Sequence, residues 1–227
     1  MENRIITHYA LFRFNHHFWS LNSDKRAEVL GDFCNAVKNA SKKVWFYQVY
    51  PTNVNYDILV WSNDDAEENN AIASFMERNA KATNKFRAYI NPVESFWGVT
   101  KPSVYSKAKK SAQELDPFVD ERLPYFIIYP FSKTTEWYLK TREDRQEMMN
   151  EHIRIGKTYR EITQLLLYSF GMQDQEFVVA YETENLPQFS DLVYELRSTE
   201  ARLFTLRDTP IITGTFKSIA QLQDLVN

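Results

Sequence analysis

The chain carries four histidines, and one of them, His152, stands where an imidazole could meet a ligand. His8, His16 and His17 lie near the N-terminus; adjacent His16 and His17 cannot put both rings on one face of a strand and read as surface or loop residues. His152 falls inside a predicted helix, on the face that three- and four-residue spacing shares with Met148, Ile155, Gly156 and Tyr159. A lone histidine on an apolar face is commonly a satisfied core residue. Gly156 argues for more, because a glycine inside a helix costs about 1 kcal/mol relative to alanine and must return something. Room for a flat or bulky neighbour is one such return, and an imidazole bound to haem iron is one way to use it.

Other chemistries find no footing. Zinc wants three or four His, Cys or carboxylate ligands at short spacing, and no His-x3-His, Cys-x2-Cys or His-Glu-x2-His pattern occurs. There is no glycine-rich phosphate loop and no nucleophile elbow. The single cysteine, Cys34, excludes an internal disulfide and sits in a helical pattern as a small packing residue. A net charge of −3 gives no sign of nucleic-acid binding. No apolar run approaches the ~18 residues of a membrane span. Met1 leads straight into polar residues without a signal-peptide pattern, so the expectation is a soluble cytoplasmic protein. Aromatic residues make up 15% of the chain, which suits either an aromatic-rich sheet or a flat aromatic ligand.

The elements that must position His152 follow from periodicity. Five glycines and eight prolines in 227 residues imply few tight turns and long regular elements. His8 to Phe14 alternates as a strand. Asp24 to Lys38 carries the helical stripe Ala27, Leu30, Phe33, Cys34 and Val37 after a cap at Asn22 or Ser23. Val44 to Tyr50 and Tyr56 to Trp61 read as a hairpin, and Asp64 and Asp65 as the start of a helix running to Ala80. Phe86 to Trp97 is strand-like. Lys101 to Asp120 reads as a solvated connector with a Lys107, Lys109 and Lys110 cluster. The order then repeats: strand Tyr125 to Phe131, helix Thr141 to Tyr159, strands Gln164 to Ser169 and Phe177 to Tyr181, helix Leu186 to Thr199, strand Ile211 to Phe216, and a short helix from Ser218 to Val226. Two βαββαβ-like halves predict an α+β fold of duplicated ferredoxin-like units, a dimeric α+β barrel with antiparallel sheets covered by helices. The expected division is 1–110 for a structural N-terminal half and 111–227 for a ligand-binding C-terminal half.

Glu136-Trp137-Tyr138-Leu139, then Arg145-Gln146-Glu147-Met148-Met149-Asn150-Glu151-His152 and Ile155-Gly156, resembles the haem-ligand helix of the chlorite dismutase and coproheme decarboxylase family. There the stretch reads like W-Y-x-L…E-R-x-x-M-M-x-x-H-x-x-I-G-R-x-Y; here Lys157 replaces the usual Arg and Tyr159 matches. Leu167 to Asp174 is similar to its S-x-G-L-D-D turn. Phe177 to Thr183 and Phe189 to Leu196 are similar to its D-F-x-x-x-F-E-T…F-x-x-L-V-x-x-L run. The first half of the chain matches in element order alone.

The resemblance implies haem b or coproheme bound in the C-terminal half, with His152 as the iron ligand. It implies Glu200 as the carboxylate that steadies the imidazole. Gln164 stands where chlorite dismutases carry an Arg over the iron and many coproheme decarboxylases a Gln. Tyr129-Pro130-Phe131-Ser132-Lys133 matches a Y-P-x-x-K motif whose Tyr carries a radical next to a propionate, with Lys133 as electrostatic partner. Arg202, Tyr105 and Lys101 are looser candidates for holding propionates. The leading expectation is peroxide-dependent oxidative decarboxylation of coproheme to haem b. Chlorite decomposition or weak peroxidase activity is the first alternative, and a haem carrier, sensor or haem-free relative the second. The resemblance also implies a homo-oligomer, a pentamer first, with some of the area of Trp19, Trp45 and Trp61 buried between subunits.

Overall fold

A computed structural model of the chain describes residues 4–102, 105 and 113–227; the Lys107, Lys109 and Lys110 cluster lies outside the described residues. In chain order the first elements are β1 (Ile5–Phe14), α1 (His16–Trp19), α2 (Ser23–Ala40), β2 (Lys43–Gln48), β3 (Ile58–Asp65), α3 (Ala71–Asn84) and β4 (Ile90–Val99). They continue as β5 (Tyr125–Lys133), α4 (Thr135–Leu139), α5 (Arg142–Gly156), β6 (Thr163–Tyr168), β7 (Phe177–Thr183) and α6 (Leu186–Arg197). A 3-10 turn (Glu200–Phe204), β8 (Thr205–Arg207), β9 (Ile212–Phe216) and α7 (Ile219–Asp224) complete the chain.

Two compact units result, residues 1–100 with 212–227 and residues 101–211. This differs from the expected break at 110, because the last strand and helix return to the first unit. Tyr47 and Gln48 of β2 pair with Phe216 and Thr215 of β9. Arg26 of α2 donates to the Val226 carbonyl at 2.6 Å, and the Gln223 amide donates to the Ala27 carbonyl.

In the first unit β1 pairs antiparallel with both β3 and β4, and β2 with β3. Helices α2, α3 and α7 supply Phe33, Val37, Ala82 and Leu222 to a core with Phe12, Phe14, Phe46 and Val60 of the sheet. The stripe read from sequence is the buried face of α2, and Asn22 caps it by accepting from the Lys25 N–H. Cys34 is buried in that stripe. Asp64 and Asp65 do not open a helix. They extend β3, opposite Ile6 and Ile5. Their carboxylates pair with Arg78 and Lys42, so strand pairing overrides the acidic helix-start signal. The helix begins later, at Ala71, behind Asn70 in the left-handed region at φ 68°. Trp45 and Trp61 are buried within the chain, which corrects the expectation that their area is free for subunit contacts; Trp19 is half exposed.

The second unit repeats the plan. β7 lies between β6 and β5, and β8 pairs with the end of β5 through Ser132 and Lys133, all antiparallel. Register and two-residue alternation put Gln164, Leu166, Phe177, Val179, Tyr181, Ile127, Tyr129 and Phe131 on one sheet face. Helices α5 and α6 cover it through Ile155, Phe189 and Leu192. Gly171, in the turn between β6 and β7, has φ 69°, a conformation that glycine adopts without strain.

Candidate functional site

Helix α5 starts at a Thr141 cap, which accepts from the Asp144 N–H at 3.1 Å, with Glu143 and Asp144 in the first turn to favour the helix dipole. Its far end is held by Gln113, whose amide donates to the carbonyls of Gly156, Tyr159 and Ile162 at 2.9–3.1 Å. The helix buries Met148 and Ile155, which lie one turn before and one turn after His152 on the same face. Met148 joins Trp137 of α4 and Ala201 of the 3-10 turn in a small cluster flanked by Tyr105, Met149 and Phe204.

His152 is held uncharged. Burial, and then the positive charge of Lys133, push its pKa down to about 4, with Glu151 opposing. Its Nδ1 is buried and has no hydrogen-bond partner among the described residues. Buried polar atoms are nearly always partnered, so this one marks a site that a ligand or a shift of the ring would complete. A neutral imidazole is also the form that binds metal. Gly156 leaves open space on the same helix: a methyl group built there would meet nothing within 4 Å.

Lys133 ends β5 beside this helix. Its ammonium donates to the Ala201 carbonyl at 3.0 Å and the Thr205 hydroxyl at 3.2 Å, and lies 4.7 Å from the centre of the Trp137 ring. Burial, helped by the nearby Arg202 charge, lowers its pKa to about 8. Arg202 bonds Asp208 at 2.8 Å, and Arg197 reaches the same carboxylate oxygen at 2.6 Å. Tyr129 is two residues back along the strand face from Phe131; burial raises its pKa, and the charges of Asp208, Arg197 and Arg202 act on it.

The structure therefore gathers Tyr129, Lys133, His152 and Arg202 into one electrostatic neighbourhood of the second unit. Gln164 shares the sheet face, opposite Tyr181, with its side chain exposed. Tyr105 stacks edge-on to Trp137, and its carbonyl accepts from Gln146. Lys101 is exposed, 5.5 Å from the centre of the Tyr168 ring. Glu200 does not hold His152 here. Its backbone N–H donates to the Glu151 carboxylate at 3.1 Å and its own side chain is exposed, because it begins the 3-10 turn facing outward. Two residues escaped the sequence reading. Arg145 of α5 has a buried Nε without a hydrogen-bond partner among the described residues, and its place in the quoted helix motif was the available signal. Tyr181 bonds Tyr129, and no spacing rule links residues on strands so far apart in sequence.

These residues fit an iron porphyrin. A single neutral imidazole, an aromatic and aliphatic sheet face, and several cations beside it suit an apolar macrocycle bearing carboxylates. Among the described residues no three His, Cys, Asp or Glu side chains gather to form a metal site of their own.

Comparison with known proteins agrees. The chain is 27% identical over 205 residues to a coproheme decarboxylase of Mycolicibacterium smegmatis, covering 88% of this chain and 85% of that one. It is 31% identical over 160 residues to a coproheme decarboxylase of Staphylococcus carnosus, covering 63% and 61%. A putative chlorite dismutase of known structure superposes with a TM-score of 0.79 at 25% identity, covering 99% of this chain and all of that one. The chlorite dismutase of Candidatus Nitrospira defluvii in complex with imidazole superposes at 0.84 and 20% identity, covering 100% and 96%, which speaks for the fold. The family model described as chlorite dismutase matches residues 26–217, and the chain belongs to that family.

Proposed function

We propose that the protein binds coproheme through His152 and, with hydrogen peroxide, converts two of its propionates to vinyl groups, giving haem b. Its cofactor class is an iron porphyrin and it is an enzyme of the haem-dependent kind. The observation that carries the reading is the buried, uncharged imidazole of His152 beside Lys133, whose Nδ1 has no partner among the described residues. Two relatives named coproheme decarboxylase support the choice of reaction.

A bound iron porphyrin supplies oxidising power from peroxide; each conversion of a propionate to a vinyl consumes one peroxide and a proton and releases one carbon dioxide and two waters. The chain's own groups do the rest. His152 offers its neutral nitrogen to iron. Lys133, Arg202 and Arg145 hold carboxylates by charge-assisted hydrogen bonds, with Tyr105 and Lys101 at the margin. Tyr129 gives up its phenolic hydrogen atom and in turn takes one from the propionate chain, whose carboxylate then leaves as carbon dioxide while the one remaining electron would go to the second oxidising equivalent that peroxide gives a bound porphyrin. Gln164 presents a neutral amide that hydrogen-bonds peroxide or water. It cannot trap a small anion as a guanidinium does, which is the argument against chlorite as substrate. Glu200 would accept from the ring's other nitrogen if the imidazole and the start of the 3-10 turn moved together. The same reading includes a homo-oligomer, with five subunits first, working in the cytoplasm; no helix among the described residues is long and apolar enough to cross a membrane.

Resonance Raman spectra of the ferrous complex test the ligand. The wild type should show the iron–histidine stretch of a five-coordinate complex. His152→Ala should lose it while its circular dichroism stays unchanged. Persistence of the band in the variant puts the ligand elsewhere.

A further inference from the structure

Two segments that carry site residues meet at Gln113. Its side-chain nitrogen donates to the carbonyls of Gly156, Tyr159 and Ile162 at 3.1, 2.9 and 3.1 Å. Gly156 closes α5 one turn after His152, so its carbonyl is among those that a helix end leaves over. The Gly156 and Tyr159 carbonyls also accept from the backbone N–H groups of Tyr159 and Ile162, which bend the chain from α5 back towards β6. The amide fills that bend with its two hydrogens, one of them shared. The backbone around the same residue takes hold of β6. The Gln164 N–H donates to the Gln113 carbonyl at 2.8 Å, and the Leu115 N–H donates to the Gln164 carbonyl at 2.9 Å. Glu114 thus lies beside Gln164 as a parallel bridge. Both backbone polar groups of Gln164 are used on the side away from β7, which fixes the direction in which its exposed side chain leaves the strand.

The segment that does this is built into the second unit, although the sequence reads as a solvated connector there. Leu115 is buried. Farther along, the Arg122 guanidinium is buried against Glu182 of β7 at 3.6 Å and donates to the Asp116 carbonyl at 2.9 Å. Strand β7 also carries Tyr181, which faces Gln164 across the sheet register. Both ends of the segment are therefore anchored to the unit that holds the site.

We propose that Gln113 is a positioning residue: it locks the end of the helix that carries His152 to the strand that carries Gln164, so that the spacing of imidazole and amide is set before a porphyrin binds. It acts through those two residues and touches no reacting atom. The proposal rests on the decarboxylase reading for the use of that spacing, not for the lock. Without the side-chain amide the bend after α5 loses a donor shared by three carbonyls. Gln164 lies two residues beyond Ile162, so a shift of the bend passes directly into β6.

Hydrogen exchange of the full chain without porphyrin tests the lock. The Lys157 and Thr158 amides bond within the last turn of α5, to the Ile153 and Ile155 carbonyls. In the wild type they should exchange as one cooperative group with the amides of Leu115 and Gln164. Gln113→Leu keeps the size and removes the donor, and should speed all four by about tenfold while the amides of the first unit keep their rates. Gln113→Lys should restore protection, because an ammonium offers three donors to carbonyls at a helix C-terminus. The comparison within the wild type needs no variant and decides the matter if Gln113→Leu unfolds.

With coproheme bound, the iron–histidine stretch reports on the His152 side and the carbonyl stretch of the ferrous carbon monoxide complex on the Gln164 side. Both bands should shift or broaden in Gln113→Leu and return in Gln113→Lys. Turnover with peroxide should fall by about threefold to tenfold in Gln113→Leu, the value of roughly one hydrogen bond. A residue that served stability alone would lower the melting temperature and move neither band, and that result overturns the proposal. So does exchange at Leu115 and Gln164 that is independent of the end of α5. If exchange behaves as expected but the wild type shows no iron–histidine band, the lock stands and the functional reading fails.

Discussion

Lys133 shows how one side chain can be tuned for a charged substrate. Free in water its ammonium keeps its proton to beyond pH ~10. Behind β5 and over Trp137, burial and Arg202 bring that proton off at about pH 8. Below that pH the ammonium is charged and holds a carboxylate; as pH rises through about 8 the charge is lost. Affinity for coproheme should therefore fall across that window, while affinity for an iron porphyrin without propionates stays level. Lys133→Met should remove the step. A pH-independent affinity in the wild type would mean that Lys133 faces no carboxylate. At this scale the sequence was informative wherever a motif had local spacing. His152, Tyr129 and Lys133 each sit in a short run that can be recognised in one dimension. Tyr181 and the Arg197–Asp208–Arg202 set were not legible, because strand pairing and a shared carboxylate join them across the fold.

Helix α5 is the element on which the site depends, and it stands on two sets of polar contacts at its ends. It buries Met148 and Ile155, and its capped ends add to what that packing supplies. Thr141→Ala should cost about 1 kcal/mol in urea unfolding, the usual value of an N-cap hydroxyl. A change too small to measure would mean that tertiary contacts alone hold the helix start. The start of this helix was read from the sequence at Thr141, which the structure makes its N-cap. The Gln113 clamp at the other end was not, since a glutamine in a polar connector gives no sign of bonding three carbonyls some forty residues on. The same difference explains Asp64 and Asp65. Acidic residues before an apolar run do favour a helix start, but here Lys42 and Arg78 neutralise them and β1 claims their backbone.

At the scale of the whole molecule the doubled element order was visible in the sequence: the first unit has the βαββαβ order it predicts, whereas the second closes on the short β8, which the sequence reading did not include. The return of β9 and α7 to the first unit was not, because a terminal strand carries no mark of which sheet it will join. Several large apolar side chains remain exposed in the second unit: Leu139, Tyr194, Leu203 and Leu206 each expose more than two thirds of their surface. Such area suits burial between subunits, and light scattering at micromolar concentration should give the mass of a homo-oligomer. A monomer would leave that surface unexplained and contradict the proposed ring.

Mass spectrometry of the porphyrin after peroxide is added to the coproheme-loaded protein tests the central claim most directly. With the wild type, the coproheme mass should give way to that of haem b through the loss of two carboxylates. Tyr129→Phe should leave coproheme intact while binding it within about twofold of the wild type, because the phenol acts in the chemistry more than in the grip. An unimpaired Tyr129→Phe, or a wild type that leaves coproheme untouched while it degrades chlorite rapidly, would contradict the account.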